Sequence, residues 1–233
     1  MGGDGTHGGD GGDGERFFMA LPAPQTADSG LFGRCLADVV RVLGLDAVRE
    51  PDTGEGMWGH RVRAALRQAC KHEEAFPQEA FEVLLRAAVH DENPSFNRWF
   101  VEAALNAFGR GRVRSRLTAY LRTGTDAQRA GAARAWYWTA LPLRHAQPAA
   151  GTTADRTEPD DGSVGVREWH RAALREFVDN EDLDVRRCIL PGLPLHPSAY
   201  PPQLHHLVEE AVAIARSHPD PYLRHRVEHQ VLG

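Results

Sequence analysis

"DNEDLDVRRCIL" (Asp179–Leu190) and "SHPDPYLRHRVEHQVL" (Ser217–Leu232) share one cadence. An acidic turn residue, Asp182 or Asp220, precedes an apolar residue, Val185 or Leu223, which is followed at once by Arg186 or Arg224. Further apolar residues stand four and eight positions after the first: Ile189 and Leu193 in one copy, Val227 and Val231 in the other. Residues spaced this way share one face of an α-helix. Towards the N-terminus the spacing returns at Gln128, Ala132 and Trp136, at Phe96, Phe100 and Ala104, and at Val62, Leu66 and Cys70. The residue after each first member is Arg63, Asn97, Arg129, Arg186 or Arg224, so Arg in four of five. The copies are 34, 32, 57 and 38 residues apart, and the long interval contains a polar stretch. Two helices per unit at roughly 32–40 residues is the signature of a helical-repeat array.

The text between the copies is also helical. "LFGRCLADVVRVL" puts Phe32, Leu36, Val39, Val40 and Leu43 on one face, the pattern of an amphipathic helix. "REPDTGEG" breaks the chain, Pro77 suits a first helical turn, and Thr125-Asp126 offers an N-cap. No stretch alternates in the manner of a strand. The fold class expected is all-α, with about five helix pairs over residues 28–233. Ala146–Ser163, "AQPAAGTTADRTEPDDGS", is too polar and too long for an ordinary connection and is expected to be an exposed insertion. Residues 1–27 open with eight Gly and three Asp among the first fourteen positions, and a disordered tail is expected there. The matches inside that tail to a myristoylation pattern and to half of a calcium-binding nonapeptide are accidents of Gly-rich text.

These copies resemble the second helices of HEAT-type repeats, in the HEAT-like and armadillo-type group of helical-repeat proteins. The resemblance covers about residues 57–233. It implies a right-handed α-solenoid of about five HEAT-like helix pairs, with first helices outside and second helices lining the inner face. It also implies that Asp182, Arg186, Asp220 and Arg224 form a structural polar ladder between neighbouring repeats. The chain departs from the pattern at Gln128, at Asn97, and at Pro191 and Pro194, which cut the fourth second helix short.

Composition sets the remaining bounds. The 233 residues are 42% hydrophobic and 25% charged, enough to bury a substantial core. Lys71 is the only lysine beside many arginines, a skew that reflects codon usage in a GC-rich genome. Cys35, Cys70 and Cys188 stand singly and are expected to be small core residues in a reducing compartment. No apolar run is long enough for a membrane span and no signal peptide is visible, so no membrane partner and a cytoplasmic location are expected.

Motifs for chemistry are few. "HRVEH" (His225–His229) matches a zinc-hydrolase pattern, in which two His at i, i+4 share a metal and a Glu acts as base. Leu223, Val227 and Val231 form the buried stripe of that helix, so the two imidazoles are expected on its solvated side. No spacing supplies a third ligand. The chain contains no G-x-S-x-G, Walker loop or strand-linked G-x-G-x-x-G. No enzymatic activity, cofactor or metal is expected.

Charge is uneven. Asn93–His145 holds nine Arg against Glu102 and Asp126, net +7 within a chain of net −5. Trp99, Trp136, Tyr137 and Trp138 lie in the same segment. The reading preferred is a non-enzymatic scaffold that binds a protein partner on the inner face. Arg63, Arg98, Arg134 and Trp138 are the contact candidates, because their phase turns them off the buried stripe. The alternative is a nucleic-acid-binding repeat protein, similar to helical-repeat DNA glycosylases, that uses the basic segment 93–145.

Overall fold

Pro, Gly and Asp punctuation divides the chain into ten α-helices among the residues described, with no strand among them. The computed structural model describes residues 19–25, 29–45, 55–71, 75–141 and 161–231. The helices are α1 (Ser29–Val42), α2 (Glu55–Lys71), α3 (Ala80–His90), α4 (Arg98–Phe108), α5 (Arg110–Thr123), α6 (Asp126–Trp136), α7 (Asp161–Asp179), α8 (Leu183–Ile189), α9 (His205–Ser217) and α10 (Pro221–Val231). No helix among these residues is long and apolar enough to cross a membrane.

Local chemistry explains the boundaries. Thr125 caps α6 in a full capping box: Gln128 N–H donates to Thr125 Oγ1 at 3.4 Å, and Thr125 N–H donates to Gln128 Oε1 at 3.0 Å. Gln128 therefore breaks the apolar cadence because it serves the cap. Asp182 caps α8 through Val185 N–H, and Asp220 caps α10 through Leu223 N–H. Pro221 occupies the first turn of α10, where its missing N–H has no cost. Gly109, at φ +82°, joins α4 to α5 in a conformation that other residues rarely adopt. Pro191 limits α8 to seven residues before a short 3-10 turn.

The helices pair in sequence: α1 with α2, α3 with α4, α5 with α6, α7 with α8 and α9 with α10. Among first helices, α1 packs on α3, α5 on α7 and α7 on α9; among second helices, α2 packs on α4, α6 on α8 and α8 on α10. The central junction differs, because α3 packs directly on α6. Small residues make that approach possible. Ala130, Gly131, Ala132, Ala133 and Ala135 are all buried, and a Cβ on Gly131 would lie 1.9 Å from the Val89 carbonyl oxygen. The backbones of α3 and α6 touch there.

The middle residue of every apolar triplet is buried: Leu66, Phe100, Ala132, Ile189 and Val227. The outer members vary, and Val231 at the end of α10 is exposed. Burial of such side chains, at about 1.5–3 kcal/mol each, dominates the stability. A second pattern connects the first helices. Arg86 of α3 pairs with Asp38 of α1, Arg116 of α5 with Glu82 of α3 at 2.9 Å, and Arg122 of α5 with Glu168 of α7 at 2.8 Å. These partners are half-exposed, so each pair adds at most about 1 kcal/mol. Their role is to favour one register between neighbours.

Two boundaries move. Residues 19–25 fall within the tail expected to be disordered, yet Met19 and Leu21 pack on the core, and Gln25 N–H donates to Asp184 Oδ2 at 2.6 Å. The polar insertion also ends earlier than expected, since α7 starts at Asp161. The rest of the tail, 1–18 and 26–27, and most of the insertion, 146–160, lie outside the described residues.

Candidate functional site

The four contact candidates do not share one environment. Arg63 and Arg134 are buried, each 9% exposed or less. Arg63 was expected to project outward, but α2 is covered by α1 and α4 along this edge. Its guanidinium sits 5.1–5.7 Å from the ring centres of Phe32, Phe96 and Phe100 and donates to Asp91 Oδ2 at 2.5 Å. Burial pushes the Asp91 carboxyl above the usual carboxylate range, against the pull of Arg63. Arg134 is enclosed between α6 and α8, where its Nη1–H donates to Cys188 Sγ at 3.4 Å. Burial in turn raises the Cys188 thiol. Neither arginine offers a free guanidinium to a partner.

Arg98 and Trp138 come together. The Arg98 guanidinium lies 5.5 Å from the Trp138 ring centre and 5.2 Å from that of Trp99. Glu102, one turn along α4, pairs with Arg98 at 3.5 Å. The Arg67 guanidinium of α2 also lies over the Trp99 ring, 4.2 Å from its centre. Tyr137 meets Trp138 edge-on at 4.8 Å and is 72% exposed. Trp138 Nε1–H donates to Asn97 Oδ1 at 2.8 Å and to the Pro94 carbonyl at 2.9 Å. Asn97, which stands where the other copies have Arg, is fully buried and takes the Trp138 N–H instead. Arg67, Trp99, Arg98, Trp138 and Tyr137 thus form a continuous half-exposed patch across α2, α4 and the turn after α6. Arg67 was not among the residues expected. It joins Trp99 from 32 positions away, and neither residue belongs to the apolar cadence.

The polar ladder is offset from its expected residues. Arg186 Nε–H donates to the Phe177 carbonyl at 3.2 Å, and Arg224 Nη1–H to the His218 carbonyl at 2.6 Å. Arg129 does the same to Leu121 at 3.3 Å. These arginines close the C-terminus of the first helix in their own pair, where orphan carbonyls attract a cation. Asp182 serves only its own helix among the contacts described. The link between pairs is made by Arg187, whose Nη2–H donates to Asp220 Oδ2 at 2.6 Å. Asn180 adds another, donating to Asp126 at 2.8 Å.

The basic segment is not an unpaired comb. Arg110 donates to the Leu141 carbonyl, Arg112 to Gln78, and Arg114, itself buried, to Thr139. Arg116, Arg122 and Arg129 are paired with Glu82, Glu168 and Glu176. Each of the eight arginines described in the segment has a partner within the protein; Arg144 lies outside the described residues. The solvated His pair is in fact half-buried, with His225 and His229 Nε2 atoms 3.1 Å apart. Glu228 pairs with Arg216 at 2.9 Å. Among the described residues, no three His, Cys, Asp or Glu side chains converge as a metal site would require.

No protein-family model, curated protein or solved structure matches this chain.

Proposed function

We propose that the chain is a five-unit helical-repeat array of the HEAT-like kind, a right-handed solenoid, and that it works as a non-enzymatic protein-binding scaffold. The observation that carries this reading is the Arg–aromatic patch Arg67, Trp99, Arg98, Trp138 and Tyr137 on the second-helix layer. Trp, Tyr and Arg are the residues over-represented at energetic centres of protein interfaces. Trp99 and Trp138 are held by stacked guanidinium groups, Trp138 also by two hydrogen bonds, and Tyr137 packs edge-on against Trp138. Stacked arrays leave an extended face of this kind along their second helices. The commitment of the segment's arginines to internal partners favours a protein over a polyanion, since binding to phosphates draws on cations free to replace counterions.

Affinity capture from the native host, run beside a shift assay with generic duplex DNA, tests the reading. A protein recovered by the wild-type chain and lost with Tyr137→Ala supports it. Binding to generic DNA that weakens steeply with salt, with no such protein, contradicts it.

A further inference from the structure

We infer that the second-helix layer carries a groove for an extended, proline-containing segment of a partner protein, and that residues 19–25 occupy this groove in cis as a displaceable internal ligand. The inference rests on reading this layer as a recognition face. The segment Met19–Gln25, "MALPAPQ", is neither helix nor strand. Pro22 and Pro24 fix their own φ angles and push Leu21 and Ala23 into extended geometry, so the segment is pre-shaped before it docks. Met19 and Leu21 face the core, whereas Ala20, Ala23 and Gln25 are exposed. That is the way an extended ligand is read, through alternate side chains and a few main-chain hydrogen bonds.

The receiving surface draws on three repeats. Asn93 and Pro94 come from the turn before α4, Arg134 from α6, and Asp184, Arg187 and Cys188 from α8. Asp184 takes the Gln25 main-chain N–H, an interaction independent of side-chain identity. Pro94 also accepts from Trp138, so the groove is continuous with the Arg–aromatic patch. The internal segment fits poorly. A cavity of about 360 Å³ remains between residues 21–24 and the groove wall. A partner segment that fills this space gains contacts the cis segment lacks, so it can displace it.

The test uses the full chain and a fluorescein-labelled peptide, FFMALPAPQTA, matching Phe17–Ala27. Fluorescence anisotropy should show at least tenfold tighter peptide binding to Leu21→Asp than to wild type, because the competitor is weakened and the groove is intact. Changing the peptide's own leucine to aspartate should abolish that binding. If Leu21→Asp loses its helical circular dichroism, the Pro22→Gly/Pro24→Gly chain replaces it, with the same gain expected. Equal affinities within twofold, or no binding to the opened chain at millimolar peptide, overturn the inference. So does a wild-type dimer that Leu21→Asp converts to monomer, since the segment then belongs to a second copy. Loss of the peptide effect, with a captured protein still sensitive to Tyr137→Ala, removes this inference and leaves the scaffold reading standing.

Discussion

Arg187 of α8 and Asp220 at the start of α10 meet at 2.6 Å, while the other oxygen of the same carboxylate accepts from Leu223 N–H at 3.1 Å. One side chain therefore caps a helix and ties two neighbouring pairs together. Burial acts to raise the Asp220 carboxyl, but the Arg187 and Leu223 hydrogen bonds outweigh it and hold the group below its usual range. A depressed folded value contributes stability above the ordinary carboxylate pKa, near 4, and loses it as pH falls through the folded value. Asp220→Asn keeps the cap but loses the charge, and should cost about 2 kcal/mol at pH 7. Urea unfolding of both chains should show that gap closing as pH is lowered below 4; a gap that widens in acid would count against the pairing.

Gly131→Ala should destabilise, although the same change in a solvated helix stabilises by about 0.5–1 kcal/mol. The added methyl meets the Val89 carbonyl at 1.9 Å, and backbone cannot move aside as a flexible side chain can. The expected loss is about 3 kcal/mol, read as a lower denaturant midpoint with an unchanged slope. A rise in the midpoint would show that α3 and α6 do not touch.

Arg63→Met leaves the Asp91 carboxylate buried without its cation, and a cost of about 3–5 kcal/mol follows. Arg63→Met with Asp91→Leu removes both charges and should recover at least half of that loss. Two losses that simply add would contradict a coupled buried pair.

Trp138→Phe keeps an aromatic side chain, though a smaller one, and removes the Nε1–H that serves Asn97 and Pro94. Asn97 is fully buried, so an unsatisfied amide oxygen should cost about 1–3 kcal/mol. Thermal unfolding followed by circular dichroism checks this. An unchanged midpoint would place Trp138 free of Asn97.

Helix content, the cap at Thr125 and the five central core residues were legible because each depends on neighbours within one or two turns, whereas Asp182 and Asp220, expected in a ladder between repeats, cap α8 and α10. Departures at Gln128 and Asn97 were visible, but their causes were not: one serves a cap, and the other a tryptophan 41 residues away. The phase argument for Arg63 and Arg134 failed because a single helix face does not reveal which edges the adjacent pairs cover. The inter-repeat ladder was displaced by one residue for the same reason, from Arg186 to Arg187. Glu82 and Arg116, spaced 34 apart like two of the repeats, carried a signal of the first-helix pairing that the apolar cadence obscured. Residues 19–25 gave none, since a proline-containing segment without periodicity reads as linker.

The central claim, recognition by the Arg–aromatic patch, is tested most directly by measuring the affinity of the captured protein for wild type and for Arg67→Glu/Tyr137→Ala. Both side chains are exposed, so folding should be unchanged by circular dichroism. The account predicts a Kd at least tenfold weaker for the double variant, as expected when centrally placed anchors are removed. An unchanged Kd would contradict it.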